Sequence, residues 1–216
     1  GPIRFLRDGS FFSNIRYTDN AGWLNGEQRS LISDTVPIQS YIQEAQQTAS
    51  DIDNLVGIPI PDSLLSGDRS LVSMNPRQRL SLHGRLSFSL SSMLTASYAA
   101  FYSDEERMSY QDYRRYAPEG LPMTTERGIN HLLSFTLTPD ARSYLRLGIS
   151  YQDNQVRSRL FKDPLDSRYQ GTPFSSNGFA FGGTSNGRSE ASNSTFLVKL
   201  QAERQVNRSN LVKAGI

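Results

Sequence analysis

Apolar and polar residues alternate with a period of two in several separate stretches of this chain. The clearest stretch is RLSLHGRLSFSL, residues 79–90, in which leucine, phenylalanine or glycine occupies every even position. Such alternation is typical of a β-strand whose two faces meet different surroundings. One face of this strand is uncharged and apolar, and the other carries serines together with His83 and Arg85.

Eight stretches of this kind follow one another, and each is predicted to be a strand of one antiparallel sheet. The predicted strands cover residues 2–7, 10–18, 78–90, 93–104, 129–138, 143–153, 193–205 and 209–216. Short and long connections alternate between them. Alternate connections of an up-and-down sheet leave it at the same end, so the pattern predicts tight turns at one end and long loops at the other.

One helix is expected inside the first long loop, over residues 40–56. Ser40 and Gln43 have the spacing of a capping box at its start, and Gly57 with Pro59 would end it.

The apolar faces of the four best-defined strands carry no charged residue, which raises the question of what they contact. The residues of the opposite face include His83, Arg85, Arg146 and Lys199. An arginine or lysine directed into the middle of a bilayer costs about 2–4 kcal/mol, so a lipid-facing surface would exclude charge. A soluble core would exclude it as well, and charge alone does not separate the two.

Strand length and tyrosine placement favour lipid. The strands are about 10 residues or longer, which is the length that a tilted strand needs to cross the hydrocarbon. Tyr98, Tyr102 and Tyr151 lie toward the loop ends on the apolar face, where an interfacial aromatic belt is expected. The predicted fold class is therefore all-β: an antiparallel, up-and-down transmembrane β-barrel segment of about eight strands. A soluble β-sandwich that binds a glycan, and a small outer-membrane barrel serving as an adhesin or enzyme, remain alternatives.

Composition narrows the possible functions. The 216 residues contain 23 basic and 21 acidic side chains, so nothing indicates a nucleic-acid partner. There is no cysteine and there are only two histidines. We expect no metal site, no cofactor and no enzyme activity. Gly182–Ser189 is close to a phosphate-binding loop, but a strand rather than a helix is predicted to follow it.

The candidate ligand-binding residues lie together in the second long loop. They are Tyr110, Tyr113, Arg114 and Tyr116. Their rings and guanidinium group could stack on a sugar or a chelate. The competing interpretation, which we favour, is packing between loops and contact with anionic lipopolysaccharide.

Several phrases resemble TonB-dependent outer-membrane receptors, in particular those with an amino-terminal carboxypeptidase-regulatory-like domain. They are GPIRFLRDGSFFSNIRY, GDRSLVSMNPRQRLSLHGRLSFSLSSMLTASY, YQDYRRYAPEGLPMTTERGINHLLSFTLTPDARSYLRLGISYQDN and DPLDSRYQGTPF. The resemblance extends over most of the chain and rests on the spacing of the predicted strands and on short sequence segments.

This resemblance implies a 22-stranded barrel in the outer membrane of a Gram-negative bacterium, with a plug domain inside it. It also implies uptake of a small molecule or oligosaccharide such as a metal chelate, vitamin, glycan or peptide, driven through a periplasmic TonB-type energy-coupling protein. Outer-membrane lipid and lipopolysaccharide would surround the barrel. Residues 1–216 show no plug or TonB-contact segment, so we expect an internal barrel fragment in which His83, Arg85, Arg146 and Lys199 face the lumen.

Overall fold

The computed structural model describes residues 9–48, 58–174 and 177–216. Most of these residues belong to β-strands. In chain order the strands are β1 (Ser10–Asn20), β2 (Asn25–Glu27), β3 (Leu71–Ser73), β4 (Arg77–Ser89), β5 (Leu94–Met108), β6 (Met123–Asp140), β7 (Ser143–Arg159), β8 (Ser189–Gln205) and β9 (Leu211–Gly215).

Seven strands form one antiparallel sheet in the order β1-β4-β5-β6-β7-β8-β9, and β2 pairs with β3 in a small separate sheet. The large sheet is therefore an up-and-down arrangement, as predicted. Its long connections all leave at one end and its short turns at the other. The sheet is open, since β1 and β9 do not pair with each other in the part of the chain that is described.

Seven of the eight predicted strands are confirmed, and the eighth, over residues 2–7, lies outside the described residues. Several strands extend farther toward the long loops than predicted; β5, for example, reaches Met108 rather than residue 104. The extensions contain several charged residues, which the pattern assigned to loops. Cross-strand ion pairs hold them in the ladder: Arg77–Glu105 at 2.8 Å, Arg127–Asp104 at 2.8 Å and Arg157–Glu190 at 2.7 Å.

The helix in the first long loop, α1 (Thr35–Thr48), begins five residues earlier than predicted. The prediction that Ser40 caps it is wrong, because the helix runs through that position. A 3-10 turn precedes it, and the Asp34 carboxylate fixes that turn by accepting the Leu31 N–H at 2.9 Å. Pro37 falls in the first turn of α1, where a missing N–H costs nothing. Residues 49–57 of the predicted helix lie outside the described ranges.

The buried apolar side chains lie in the loops rather than beneath the sheet. They include Ile38, Met74, Ala117, Leu121, Ala180 and Phe181, whereas the buried apolar residues of the large sheet are Ala96 and Ala99. Within the described residues, no second layer covers either face of the sheet. Ile15 is 74% exposed and Phe196 is 67% exposed. Among the helices described, none combines the length and hydrophobicity needed to cross a membrane.

Candidate functional site

The strand register divides the large sheet into an apolar face and a polar face. One row of paired residues runs across six strands as Phe11–Leu86–Tyr98–Leu133–Ile149–Val198. Side chains alternate between faces along each strand, so the predicted apolar residues share the face of this row. The register also places His83, Arg85, Arg146 and Lys199 together on the opposite face.

At the loop end of the apolar face, the boundary between apolar and charged residues is oblique to the rows. The boundary residue is Asp19 on β1, whereas on β7 it is Asp153. Asp153 belongs to the same row as Ile15, four residues before Asp19. The boundary thus moves by four residues over the four steps from β1 to β7. When strands are tilted by roughly 40°, the residue at which a flat plane crosses each strand shifts by about one position from one strand to the next.

A tyrosine stands just inside this boundary on each of three strands. The pairs are Tyr17 with Asp19, Tyr102 with Asp104, and Tyr151 with Asp153. The Tyr102 hydroxyl donates a hydrogen bond to Asp104 at 2.9 Å. The Tyr102 ring therefore lies on the apolar face while its hydroxyl reaches the charged edge, and Tyr17 and Tyr151 hold the same position relative to their aspartates.

Tyr98 lies deeper in the apolar face than the three boundary tyrosines. Its hydroxyl oxygen is 2.7 Å from Nδ1 of His131, which the register places on the same face. The hydrogen bond pairs the hydroxyl with one ring nitrogen of His131 among apolar neighbours, which lowers the cost of placing both groups on this face.

The polar face changes character along its length. Near the loops it is charged, and the buried Glu105 carboxylate accepts a hydrogen bond from Arg77 at 2.8 Å. Below this lies a mainly polar recess of about 200 Å³, lined in part by Arg79, Asn14 and His83. The His83 ring stacks on Phe101 with centroids 4.0 Å apart. This face therefore offers hydrogen-bonding groups and rings to a solute.

The loop residues predicted to bind ligand divide into two pairs. Arg114 is only 2% exposed; its guanidinium donates to Thr172 Oγ1 at 2.6 Å and to the Gly183 carbonyl at 3.4 Å. Tyr116 is half-buried and stacks on Phe181 with centroids 5.6 Å apart. These two residues point into the packed loops.

Tyr110 and Tyr113 lie nearer the loop surface. The Tyr113 side chain is exposed and its hydroxyl donates to Gln111 at 2.7 Å; the half-buried Tyr110 donates to Asp112 at 2.7 Å. These two residues stay available to a ligand, while the other pair supports loop-on-loop packing.

Three long loops meet in this region and form what we call the loop assembly, residues 21–48, 58–76, 109–122, 160–174 and 177–188. Backbone hydrogen bonds join the first and second loops, for example Glu27 N–H to the Arg115 carbonyl at 2.7 Å. Others join the second and third, such as Ala180 N–H to the Tyr113 carbonyl at 2.7 Å. At its surface, two hydrogen bonds from the Arg168 guanidinium lower the pKa of Asp166 to about 2.

The stretch that resembles a phosphate-binding loop is used inside the loop assembly. The Gly182 N–H donates to Ser30 Oγ at 2.7 Å, and the Gly183 N–H donates to Thr35 Oγ1 at 2.6 Å. Strand β8 follows it, as predicted. These amides contact side chains of the first loop and are not free to hold a phosphate.

Replacing Gly183 with alanine is expected to loosen the loop assembly. Gly183 has φ +63°, and an added Cβ would lie 2.5 Å from the Thr172 Cα atom. The left-handed conformation alone costs an alanine about 1–2 kcal/mol, and the backbone contact adds to that. Gly178→Ala is the matched control, because its φ is +76° but its Cβ would meet open space. Faster amide exchange at residues 180–184 in Gly183→Ala than in Gly178→Ala checks the prediction; equal exchange contradicts it.

Comparisons with protein-family models, with curated proteins and with solved structures gave no match. The functional assignment therefore depends on the two faces of the sheet and on the loop assembly.

Proposed function

We propose that this chain is part of a β-barrel that takes up a nutrient across the outer membrane of a Gram-negative bacterium. The observation that carries the proposal is the uncovered apolar face, whose charged boundary is displaced by one residue per strand. Tilted strands crossing a flat membrane would have this displacement.

The apolar face is too extensive to remain in water. Soluble monomers seldom expose a continuous apolar patch larger than a few hundred Å², and here such residues continue across all seven strands. A β-sandwich would need a second sheet over this face, and the described residues supply none. Lipid is the covering that also accounts for the tyrosines at the boundary, since tyrosine favours the membrane interface.

The remaining features fit a transport barrel. The polar face would line the passage, with His83, Arg85, Arg146 and Lys199 directed into it. The loop assembly would lie outside the cell, where Tyr110 and Tyr113 can meet a small molecule or oligosaccharide and where basic residues can meet lipopolysaccharide. Energy would come from a periplasmic TonB-type protein that acts through another part of the receptor.

Cysteine labelling in the full-length protein tests the topology, because this chain has no cysteine of its own. Leu165→Cys lies in the third long loop, and Arg208→Cys lies in the turn between β8 and β9. We expect an impermeant maleimide to label residue 165 on intact cells and residue 208 only after the outer membrane is opened. Recovery of the protein in the soluble fraction, with equal labelling at both positions, would reject the membrane barrel.

Transport is tested separately from topology. Mass spectrometry of the growth medium would compare a strain that has the protein with a strain that lacks it. If the protein is a transporter, its nutrient should remain in the medium of the deletion strain and be consumed by the other strain. If it is an adhesin of the same topology, the media of the two strains should have the same composition.

A further inference from the structure

A second recess on the polar face combines positive charge with apolar side chains. It has a volume of about 240 Å³ and lies across β6, β7 and β8. Arg146 and Lys199 line it, together with Leu132 and Leu197, and Gly148 is at its centre. We call it the cationic recess.

Among the residues that the structure describes, neither cation of this recess has an acidic partner. Arg146 donates through Nε to Ser134 Oγ at 3.2 Å. The two outer nitrogens of its guanidinium take no part in this hydrogen bond. Within the described ranges, no carboxylate forms an ion pair with Arg146 or Lys199. Glu203, on the same strand as Lys199, is engaged by Lys213 at 3.2 Å. Two positive charges that share one recess repel each other, and an anion between them would relieve that repulsion.

The two leucines are unusual on this face. Leu132 is 37% exposed and Leu197 is 56% exposed, although their neighbours along each strand on this face are mainly polar. The register places them in one row on either side of Ser150, and the next row contains Gly148 and Lys199. Adjacent rows on one face are about 7 Å apart. Arg146 lies one row beyond Lys199. An apolar group held by the leucines would therefore be about 7 Å from the row of Lys199 and about 14 Å from the row of Arg146.

Gly148 keeps the centre of the recess open. A Cβ atom built there meets only the Lys199 carbonyl oxygen, at 3.9 Å. A larger side chain would project into the space between the leucines and the cations, so the glycine is what leaves room for a ligand.

We propose that the cationic recess binds an organic anion in which a carboxylate or phosphate is joined to a compact apolar group. The anion contacts Arg146 and Lys199, and the apolar group covers Leu132 and Leu197. Inorganic phosphate leaves the leucines in water, and a neutral apolar molecule leaves both cations unpaired. The inference rests on the proposed function in one respect, namely that imported solutes pass along this face.

Binding of 4-fluorobenzoate to the full-length protein in lipid nanodiscs tests the inference, with ¹⁹F NMR as the measurement. We expect saturable binding, and at least tenfold weaker binding in the double variant Arg146→Gln/Lys199→Gln. Neutral 4-fluorobenzamide should bind at least tenfold more weakly than the anion. Leu197→Ser should weaken the binding of 4-fluorobenzoate without removing it.

The matched control is Arg16→Gln/Arg85→Gln, which removes two charges from the same face outside the recess. It should change the affinity by less than threefold. Absence of binding to the wild type would overturn the inference, as would equal losses in the two double variants. Equally good competition by inorganic phosphate, or equal binding of the amide, would overturn the proposed ligand class.

These outcomes are independent of the topology test. If cysteine labelling supports the barrel and 4-fluorobenzoate does not bind, the recess assignment alone fails. If the probe binds with the expected variant effects and the labelling rejects the barrel, the proposed function alone fails.

Discussion

Leu147→Arg is expected to prevent the chain from assembling in the outer membrane. Leu147 lies on the apolar face in the row Phe88–Ala96–Phe135–Leu147–Leu200, well inside the charged boundary. In the proposed barrel, an arginine there would face the middle of the hydrocarbon at a cost of about 2–4 kcal/mol. The measurement is the amount of protein recovered in the outer-membrane fraction, together with its resistance to extraction by urea.

Ser150→Arg is the matched control for this substitution. It introduces the same side chain on the same strand, but on the polar face. Arg146→Leu removes a charge from the polar face and should also assemble. Normal assembly of Leu147→Arg together with loss of Ser150→Arg would reverse the assignment of the two faces and contradict the membrane proposal.

Arg114→Ala is expected to destabilise the loop assembly by about 2–4 kcal/mol. The substitution removes two hydrogen bonds from a charged donor, and such a bond contributes about 1.5–3 kcal/mol. It also leaves a cavity where a buried side chain was. Those hydrogen bonds connect the second long loop to Thr172 and Gly183 in the third. Limited proteolysis on intact cells should cut residues 160–188 much faster in the variant, while the protein remains in the membrane.

Arg69→Ala controls for the loss of a loop arginine. Arg69 pairs with Asp62 at 2.7 Å, but its side chain is 56% exposed, and surface pairs contribute about 1 kcal/mol or less. Its rate of proteolysis should therefore stay close to that of the wild type. If Arg114→Ala were no more sensitive than Arg69→Ala, the buried guanidinium would not hold the loops together.

The sheet could be predicted because the alternation of apolar and polar residues that produces its two faces is present in the sequence. Residues 79–90 alternate without interruption, and pairing with β5 keeps that alternation in register on both faces. The ends of the strands could not be predicted in the same way. Glu105 and Arg107 resemble loop residues until their cross-strand partners are known. Those partners, Arg77 and Glu126, are 28 and 19 residues away in sequence.

Besides the local hydrogen bond from Leu31, a long-range contact supports the turn at the start of α1. Asp34 accepts the Ser66 N–H at 2.9 Å across more than 30 residues, and this contact fixes the turn before the helix. A local capping rule assigned the start to Ser40 because it considers only neighbours in sequence.

Part of the candidate site could be predicted from the sequence. Alternation was sufficient to assign Arg146 and Lys199 to the polar face. The repeated Tyr-x-Asp phrase at 17–19, 102–104 and 151–153 was also present, although its meaning depends on the register that aligns it across the sheet. The burial of Arg114 had no signal, because arginine is normally exposed and nothing nearby indicates a contact with the third loop.

The location of the buried side chains gives the two halves of the molecule different thermal behaviour. The heat capacity of unfolding rises with the apolar area newly exposed to water, and six of the eight buried apolar residues belong to the loop assembly. On warming in a bilayer, the loops should melt in a cooperative calorimetric transition with a measurable heat-capacity step. In the proposed barrel, the apolar side chains of the strands would contact lipid and not water, both before and after that transition. The strands should therefore persist through it and contribute almost nothing to the heat-capacity step.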